Sequence, residues 1–285
     1  MLLAHAGPWV WSVEPLQLAP VVVAAAAYAQ RARTLARRGR PVPGPRIAWF
    51  ALGIALVLVS LVSPIDHLGE ERLLTAHMAQ HLLLGDLAPL AVVLGLSGPL
   101  LRPVLALPAV GRLRVLAHPL VALPLWALNL YVWHLPALYQ GALEHDAVHA
   151  LQHALFFGCG AFMWAAVVEP LPGPAWFGTG SKFLYVVAVR LAGTILANVF
   201  IWSAHPFYER YAEAPRTWGL SAAADQSVAG ALMMVEGSVV TLAALAWLFL
   251  RWAQESELRQ ELVEAGHDPA SVARAVRYGR AALPS

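Results

Sequence analysis

Seven stretches of this chain are apolar over roughly the 20 residues that a helix needs to cross a lipid bilayer. Hydrophobic residues make up 59% of the 285 residues, and charged residues make up only 13%, against about 25% in a soluble domain. Segments rich in Gly and Pro, which break helices, separate the stretches. The sequence therefore predicts an all-α integral membrane protein, a bundle of seven transmembrane helices over residues 15–33, 46–63, 73–97, 119–140, 146–168, 183–204 and 226–250.

The charges of the predicted loops alternate in sign along the chain. Arginines fill the loop between spans 1 and 2, the loop between spans 3 and 4, and the segment after span 7, whereas the other loops are acidic. Because positive loops stay in the cytoplasm, this pattern predicts that the N-terminus is outside and the C-terminus is cytoplasmic. We expect a single membrane domain over residues 1–252 and a cytoplasmic, partly helical tail over residues 253–285, with no recognition of nucleic acid.

Histidine is concentrated near one side of the predicted bundle. Nine of the eleven histidines lie on the outer side or in the outer half of a span. His77 and His81 are four residues apart on span 3, and His145, His149 and His153 repeat this spacing at the start of span 5. Side chains at this spacing share one face of a helix. Polar groups are costly in hydrocarbon, so their retention there indicates a function.

The depths of these side chains agree with one another. At 1.5 Å per residue, His81, His134 and His153 lie roughly 7–13 Å below the outer boundary, and Met233 and Met234 lie at about 10–15 Å. Imidazole together with thioether sulfur on an oxidising outer face favours copper. The candidate metal ligands are His77, His81, His134, His149 and His153, with Met78, His67, His205, Met233 and Met234 as weaker candidates.

Several of the polar residues also have a purely structural interpretation. A buried histidine is commonly held by hydrogen bonds alone, and methionine fills irregular gaps in a core. Asp86 and Arg190 lie below the histidine level, where an intramembrane ion pair would lower the cost of burying both. Glu236 has no evident cationic partner, and Cys159 is expected to be a small apolar filler.

The strings "HMAQHLLLGDLAPLAVVLGLSGP" and "YVWHLPALYQGALEHDAVHALQHALFFGCGAFMWAAVVEPLP" resemble the seven-helix CtaG family of cytochrome c oxidase (caa3-type) assembly factors. The "SPIDHLG" segment before span 3 is similar as well, and the resemblance covers residues 15–250. It implies a protein of the bacterial plasma membrane that handles copper and assists oxidase subunits. The residues that match are Asp66, His77, Met78, His81, Trp133, His134, Pro136, His149 and His153. Gln152 stands where an acid is expected, which leaves the orientation of His153 in doubt.

Four functions remain to be weighed. The leading hypothesis is a non-catalytic, copper-binding assembly factor with the bilayer and oxidase subunits as partners. The alternative is a haem-binding redox protein with His81 and His153 as axial ligands. A metal transporter is weakened by the lack of an internal repeat. An intramembrane zinc protease would need the glutamate of an H-E-x-x-H motif, and "HMAQH" lacks it. The identity, oxidation state and number of the ions, the direct partner and the oligomeric state stay open.

Overall fold

The computed structural model describes residues 11–214 and 218–278, and all regular elements within them are helices. A π-helical turn, Leu83–Leu87, joins α4 to α5, and a 3-10 turn, Leu113–Ala117, joins α7 to α8. The α-helices are α1 (Pro15–Arg37), α2 (Gly44–Val62), α3 (Pro64–Glu71), α4 (Leu74–Leu82), α5 (Ala88–Gly95), α6 (Gly98–Leu105), α7 (Pro108–Arg112), α8 (Pro119–Trp133), α9 (Pro136–Glu144), α10 (Asp146–Val168), α11 (Thr179–Trp202), α12 (Glu209–Glu213), α13 (Ala222–Glu264) and α14 (Pro269–Tyr278).

Five helical units of the described chain are long and apolar enough to cross a membrane. They are α2, the continuous unit Leu74–Gly95, α10, α11 and α13. A sixth is present if Val110–Ala117 and Pro119–Trp133, which meet at a bend of 82°, form one broken span. These units confirm the helical and apolar character of predicted spans 2, 3, 5, 6 and 7.

The two other predicted spans differ from the expectation. α1 has 23 residues, but Gln17, Gln30 and Arg31 dilute its apolar composition, and it is not among the five spanning units. A continuous helix over residues 119–140 is wrong, because α8 ends at Trp133 and a new helix begins at Pro136. Proline disfavours helical geometry in the residue before it, which explains the break. Seven crossings and an outward N-terminus stay predictions.

The π-helical turn in the third span has a local cause. Pro89 has no N–H and leaves the carbonyl of Gly85, four residues earlier, without its helical donor. The N–H of Ala88 reaches back to the carbonyl of Leu83 instead, which widens the helix by one residue. Gly160 of α10 packs directly on the Gly85 backbone, where any side chain would overlap the carbonyl. This contact fixes α10 against the π-helical turn, one turn below His81 and two turns below His153.

The predicted tail helix is the continuation of the last span. α13 runs unbroken for 43 residues to Glu264, past the expected domain boundary at residue 252. Gly266 then adopts a φ of +80°, a conformation that favours glycine at a helix end. α14 returns against α13, and Leu262, Val272 and Ala275 form the small core between the two helices.

Candidate metal centre

Four imidazoles from two helices form one buried group, here called the histidine quartet: His77 and His81 of α4 and His149 and His153 of α10. The ring centroids are 4.2 and 4.1 Å apart within each helix and 5.4 and 5.6 Å apart between the helices. A fifth ring, that of His134 at the end of α8, lies 6.5 Å from His81. All five residues are buried. The structure thus brings the five leading candidates together.

Three rings of the quartet converge closely enough for a common ion. The Nε2 atoms of His77 and His81 are 2.8 Å apart. One nitrogen of each of His77, His81 and His149 lies within 4.8 Å of the other two. Two imidazoles on one tetrahedral ion, with bonds of about 2.0–2.1 Å, hold their nitrogens roughly 3.3 Å apart. The observed spacing therefore needs side-chain adjustments of about an ångström to hold a metal ion.

The two rings of α10 are oriented by partners outside that helix. His149 Nδ1 lies 2.8 Å from Glu70 Oε1 of α3, and His153 Nδ1 lies 2.9 Å from Gln17 Oε1 of α1. Because both partners are acceptors, Nδ1 carries the proton in each ring and Nε2 keeps its lone pair. A carboxylate or carbonyl on the remote nitrogen is the usual arrangement around a metal-binding histidine.

The same logic applies to His134. Its Nδ1 donates to the Leu130 carbonyl at 2.7 Å, which again leaves Nε2 as the free acceptor. Buried polar atoms without a partner are rare and costly in proteins. The quartet and His134 together hold five such nitrogens: Nε2 of His134, His149 and His153, and Nδ1 of His77 and His81. These atoms are the observation that points to a ligand.

Neither Glu70 nor Gln17 was assigned to the site from the sequence. Glu70 lies in a predicted outer loop and Gln17 lies at the start of predicted span 1, but no spacing rule joins either residue to a histidine more than seventy residues away. The doubt raised by Gln152 is answered by the position of Gln17. Gln152 is buried with no hydrogen bond to either side-chain atom, and His153 is oriented by α1 instead.

The start of α4 is capped by a residue from α13. Asp225 accepts from the backbone N–H of Leu74 at 2.6 Å and from that of Thr75 at 3.2 Å. It also accepts from the Thr75 hydroxyl at 2.6 Å. The first N–H groups of a helix have no intrahelical partner, so Asp225 supplies one across the bundle. This cap fixes α4 two residues before His77.

A second polar network holds α4 through Gln80. Asp66 accepts from the Ser12 hydroxyl and from Gln80 Nε2, both at 2.6 Å. Gln80 also donates to the Ser60 carbonyl at 3.0 Å. Burial raises the pKa of Asp66, although its two hydrogen bonds oppose that change. Gln80 precedes His81 directly, so the network sets the rotation of the helix that carries both histidines.

A cavity of about 120 Å³ leads from the surface toward the quartet between α1, α3 and α10. His149 lies at its inner end and His67 lines its wall. A cleft lined by charges of one sign raises the local concentration of the opposite ion. The acidic residues of this cavity are Glu14, Asp66, Glu70 and Asp146.

Three buried tyrosines cover the quartet on the side of α9 and α12. The Tyr139 ring lies 5.1 Å from His77 and stacks on Tyr208 at 3.9 Å. The Tyr208 hydroxyl donates to the His134 carbonyl at 2.9 Å. Tyr139 and Tyr211 share a hydroxyl contact of 3.1 Å. Burial raises the pKa of Tyr208 and Tyr211 well above the ordinary value, so these side chains stay protonated and neutral.

Most of the weaker ligand candidates lie away from the quartet nitrogens. Met78 and Met233 are buried in an apolar cluster, and both line a cavity below the quartet. The sulfur of Met234 accepts from Arg190 Nη2 at 2.9 Å. His205 is exposed, and its carbonyl accepts from Gln226. Met234 and His205 are therefore excluded from the central ligand set in this arrangement.

Of the three histidines spaced four residues apart at the start of predicted span 5, two lie within α10. His145 is the N-cap residue of α10 and is exposed, with Nδ1 bonded to the Glu144 carbonyl at 2.8 Å. His5, one of the nine histidines predicted to lie toward the outer side, is outside the described residues. The two candidate ligands of this spacing, His149 and His153, lie within α10, whereas His145, which was not a candidate ligand, lies at its start.

The deeper cavity, of about 90 Å³, contains a carboxyl pair rather than the expected ion pair. Asp86 accepts from the indole N–H of Trp164 at 2.5 Å, and Glu236 lines the same cavity. Arg190 donates to Ser238 at 2.8 Å, and its charge acts on Glu236. The predicted Asp86–Arg190 pair is wrong, because Trp164 satisfies Asp86.

Comparison with known families assigns most of the chain. The profile of the family described as cytochrome c oxidase caa3 assembly factor (Caa3_CtaG) matches residues 26–255. That range contains every residue of the quartet, His134 and Glu70, whereas Gln17 precedes it.

Two similar proteins are the uncharacterized protein Mb0105 of Mycobacterium bovis and the uncharacterized protein MT0111 of Mycobacterium tuberculosis. Each is 26% identical over 269 residues, a region that covers 86% of this chain and 40% of the relative. This chain thus spans well under half of the length of these relatives. No solved structure matches the chain significantly.

Proposed function

This chain belongs to the cytochrome c oxidase caa3 assembly factor family, and we propose that its part in assembly is to carry copper. The histidine quartet binds a copper ion taken from the outer side of a bacterial plasma membrane. The ion is then released to an oxidase subunit in the same membrane. Copper is cargo in this proposal, and the chain binds and releases it without catalysing a reaction.

The observation that carries the proposal is the convergence of buried imidazoles, of which His149 and His153 keep Nε2 without a hydrogen-bond partner. Three imidazoles offer ligand atoms within 4.8 Å of one another, and Glu70 and Gln17 hold two rings with Nε2 free. Imidazole suits copper, zinc, iron and nickel, whereas calcium and magnesium prefer oxygen ligands, which no side chain of the quartet supplies. The outward environment and the oxidase family favour copper among the first group.

Uptake and release use the same donor set. The acidic cavity that ends at His149 attracts a cation and delivers it to Glu70 and His149 first. Two or three neutral imidazoles then hold the ion. A site with only two or three imidazole ligands suits reversible binding, because each imidazole can leave the metal without a change in its own charge. His134 and His81 both line the deeper cavity, where a fourth donor can be offered.

Haem is the alternative that the test must separate. Axial ligation by His81 and His153 needs a macrocycle between the two rings, whose centroids are 5.6 Å apart. His77 and His149 pack beside them, and the adjoining cavity is about 90 Å³. Pockets for ligands of drug size start at about 300 Å³. This packing favours an ion over haem.

The test is metal analysis of the purified full chain together with an absorption spectrum of the same sample. We expect stoichiometric copper, no Soret band, and loss of copper in the double variant His81→Ala, His153→Ala. The matched control is His145→Ala, His205→Ala, which removes two exposed histidines and is expected to keep the copper. In cells without another copy of the gene, the first variant is expected to leave the oxidase copper-deficient and the control to restore it.

Two results would contradict the proposal. A Soret band with matching iron would favour the haem function. Absence of copper after loading, with normal oxidase assembly by the His81→Ala, His153→Ala variant, would leave the quartet without a role in metal transfer. Melting temperatures of both variants separate loss of copper from loss of the fold.

A further inference from the structure

Five arginines converge on one cleft at the end of the bundle away from the quartet. The cleft lies between α1, α6 and the turn before α8, and has a volume of about 720 Å³. Its arginines are Arg31, Arg38, Arg40, Arg102 and Arg114, and no acidic residue lines it. None of the five takes part in an ion pair within residues 11–214 and 218–278. Five unneutralised cations in one cleft call for an anion.

Arg31 shows how the cleft is built. Its Nε and Nη2 atoms donate to the Pro99 carbonyl at 3.1 and 2.9 Å, which ties α1 to the start of α6. Tyr28, one turn earlier, donates to the Gly95 carbonyl at 3.2 Å and stacks on Phe50 at 3.7 Å. These contacts hold α1 at a fixed distance from α6, with the cleft between them.

An apolar groove of about 550 Å³ joins the cleft at Arg31, which lines both. The groove runs between α1 and the α5–α6 corner. Apart from Arg31, Gln30 and Thr34, its walls are apolar or aromatic: Ala24, Ala27, Tyr28, Phe50, Val92, Leu96, Leu100, Leu101, Pro103 and Val104. An amphiphile with a negative head and a hydrocarbon tail would match both halves at once.

We propose that this pair of clefts binds one anionic phospholipid, with its phosphate among the arginines and an acyl chain in the groove. Guanidinium groups bind phosphate oxygens in pairs, which suits them to this role more than lysine. Basic pockets beside membrane helices bind lipid headgroups in this way. An acidic protein segment would use the arginines but would have no need of the apolar groove, so lipid is the favoured occupant.

The test titrates the purified full chain with phosphatidylglycerol and phosphatidylcholine and counts bound lipids by native mass spectrometry. We expect the wild type to prefer phosphatidylglycerol. The triple variant Arg38→Gln, Arg102→Gln, Arg114→Gln is expected to bind it about 100-fold more weakly, from the contribution of each arginine near an anionic lipid. The matched control Arg33→Gln, Arg37→Gln, Arg112→Gln removes three exposed arginines that do not line the cleft, and is expected to change binding less than threefold.

A second pair of variants tests the groove alone. Ala27→Trp fills it without changing charge and is expected to weaken phosphatidylglycerol binding, whereas Ala26→Trp, one residue away and not in the groove wall, is not. Equal binding of both lipids, or equal loss in both triple variants, would overturn the proposal. Competition by inorganic phosphate at the same affinity, with no effect of Ala27→Trp, would indicate a phosphate site. If the wild type showed no preference between the two lipids and the triple variant Arg38→Gln, Arg102→Gln, Arg114→Gln lost its association with the oxidase, the cleft would bind an acidic protein partner instead.

Discussion

The two ends of the bundle solve the problem of polar groups near a membrane in opposite ways. At the histidine end, imidazoles are buried, three of them are oriented by acceptors on their Nδ1 atoms, and the route to them is acidic. At the arginine end, charged side chains stay exposed and line a cleft without any acid. Neutral donors can be buried because they do not carry the desolvation cost of an ion. The comparison teaches that the histidine end offers nitrogen lone pairs, which suit a cation, whereas the arginine end offers positive charges, which suit an anion.

The largest expected effect comes from Gly160, which sets the distance between α10 and the π-helical turn that continues α4. In Gly160→Ala the added methyl group overlaps the Gly85 carbonyl, so α10 must shift and the quartet must separate. We expect a loss of stability of about 3 kcal/mol or more and loss of copper, with lipid binding at the arginine end unchanged.

The control for this variant is Gly158→Ala on the same helix, because a methyl group there meets no atom within 4 Å. Thermal unfolding and copper content measured on both variants test the comparison directly. If Gly160→Ala kept its copper, the close contact would not determine the geometry of the quartet.

The second prediction concerns the cap that α13 provides for α4. Asp225→Ala leaves the buried N–H of Leu74 without an acceptor, which costs about 1–3 kcal/mol, and it frees the helix that carries His77 and His81. We expect a lower melting temperature and weaker copper binding. Asp225→Asn keeps one acceptor oxygen and is expected to fall between the wild type and the alanine variant.

The third prediction separates orientation from ligation. Glu70→Gln keeps the shape of the side chain but weakens the acceptor at His149 Nδ1, and loss of such a partner costs about 10–100-fold in metal affinity. The control is Glu71→Gln, which breaks an exposed ion pair with Arg210 (2.7 Å) and touches no residue of the quartet. Equal copper affinity of the two variants would show that Glu70 does not orient a ligand.

The sequence predicts the helices and the candidate ligands better than it predicts the residues that orient those ligands. The four-residue spacing and the estimated depth in the bilayer identify His77, His81, His149 and His153. Side chains four residues apart share a helix face, and this face can be identified without knowledge of tertiary contacts. The partners Gln17, Glu70 and Asp225 come from other helices, and no local spacing encodes them. The break at His134 is marked by Pro136 in the sequence, but a proline two residues later does not say whether a span bends or ends.

The smallest expected effect lies at the arginine end and contrasts with Asp225. Asp268 caps α14 within its own turn by accepting from the N–H groups of Ala270 and Ser271, both at 3.0 Å. The hydrogen bonds that Ser271 donates to the Asp268 carboxylate hold the pKa of Asp268 below its usual range. The folded pKa is below the unfolded one, so the cap stabilises α14 above about pH 4 and weakens as the pH falls through the folded pKa.

Hydrogen exchange of α14 (Pro269–Tyr278) is expected to rise slightly in Asp268→Ala at neutral pH, with no change at the quartet. Because Asp268 is exposed, water replaces its carboxylate as the acceptor in the alanine variant, whereas no water replaces the buried Asp225. If Asp268→Ala and Asp225→Ala lowered the melting temperature equally, this difference between the two ends of the bundle would not hold.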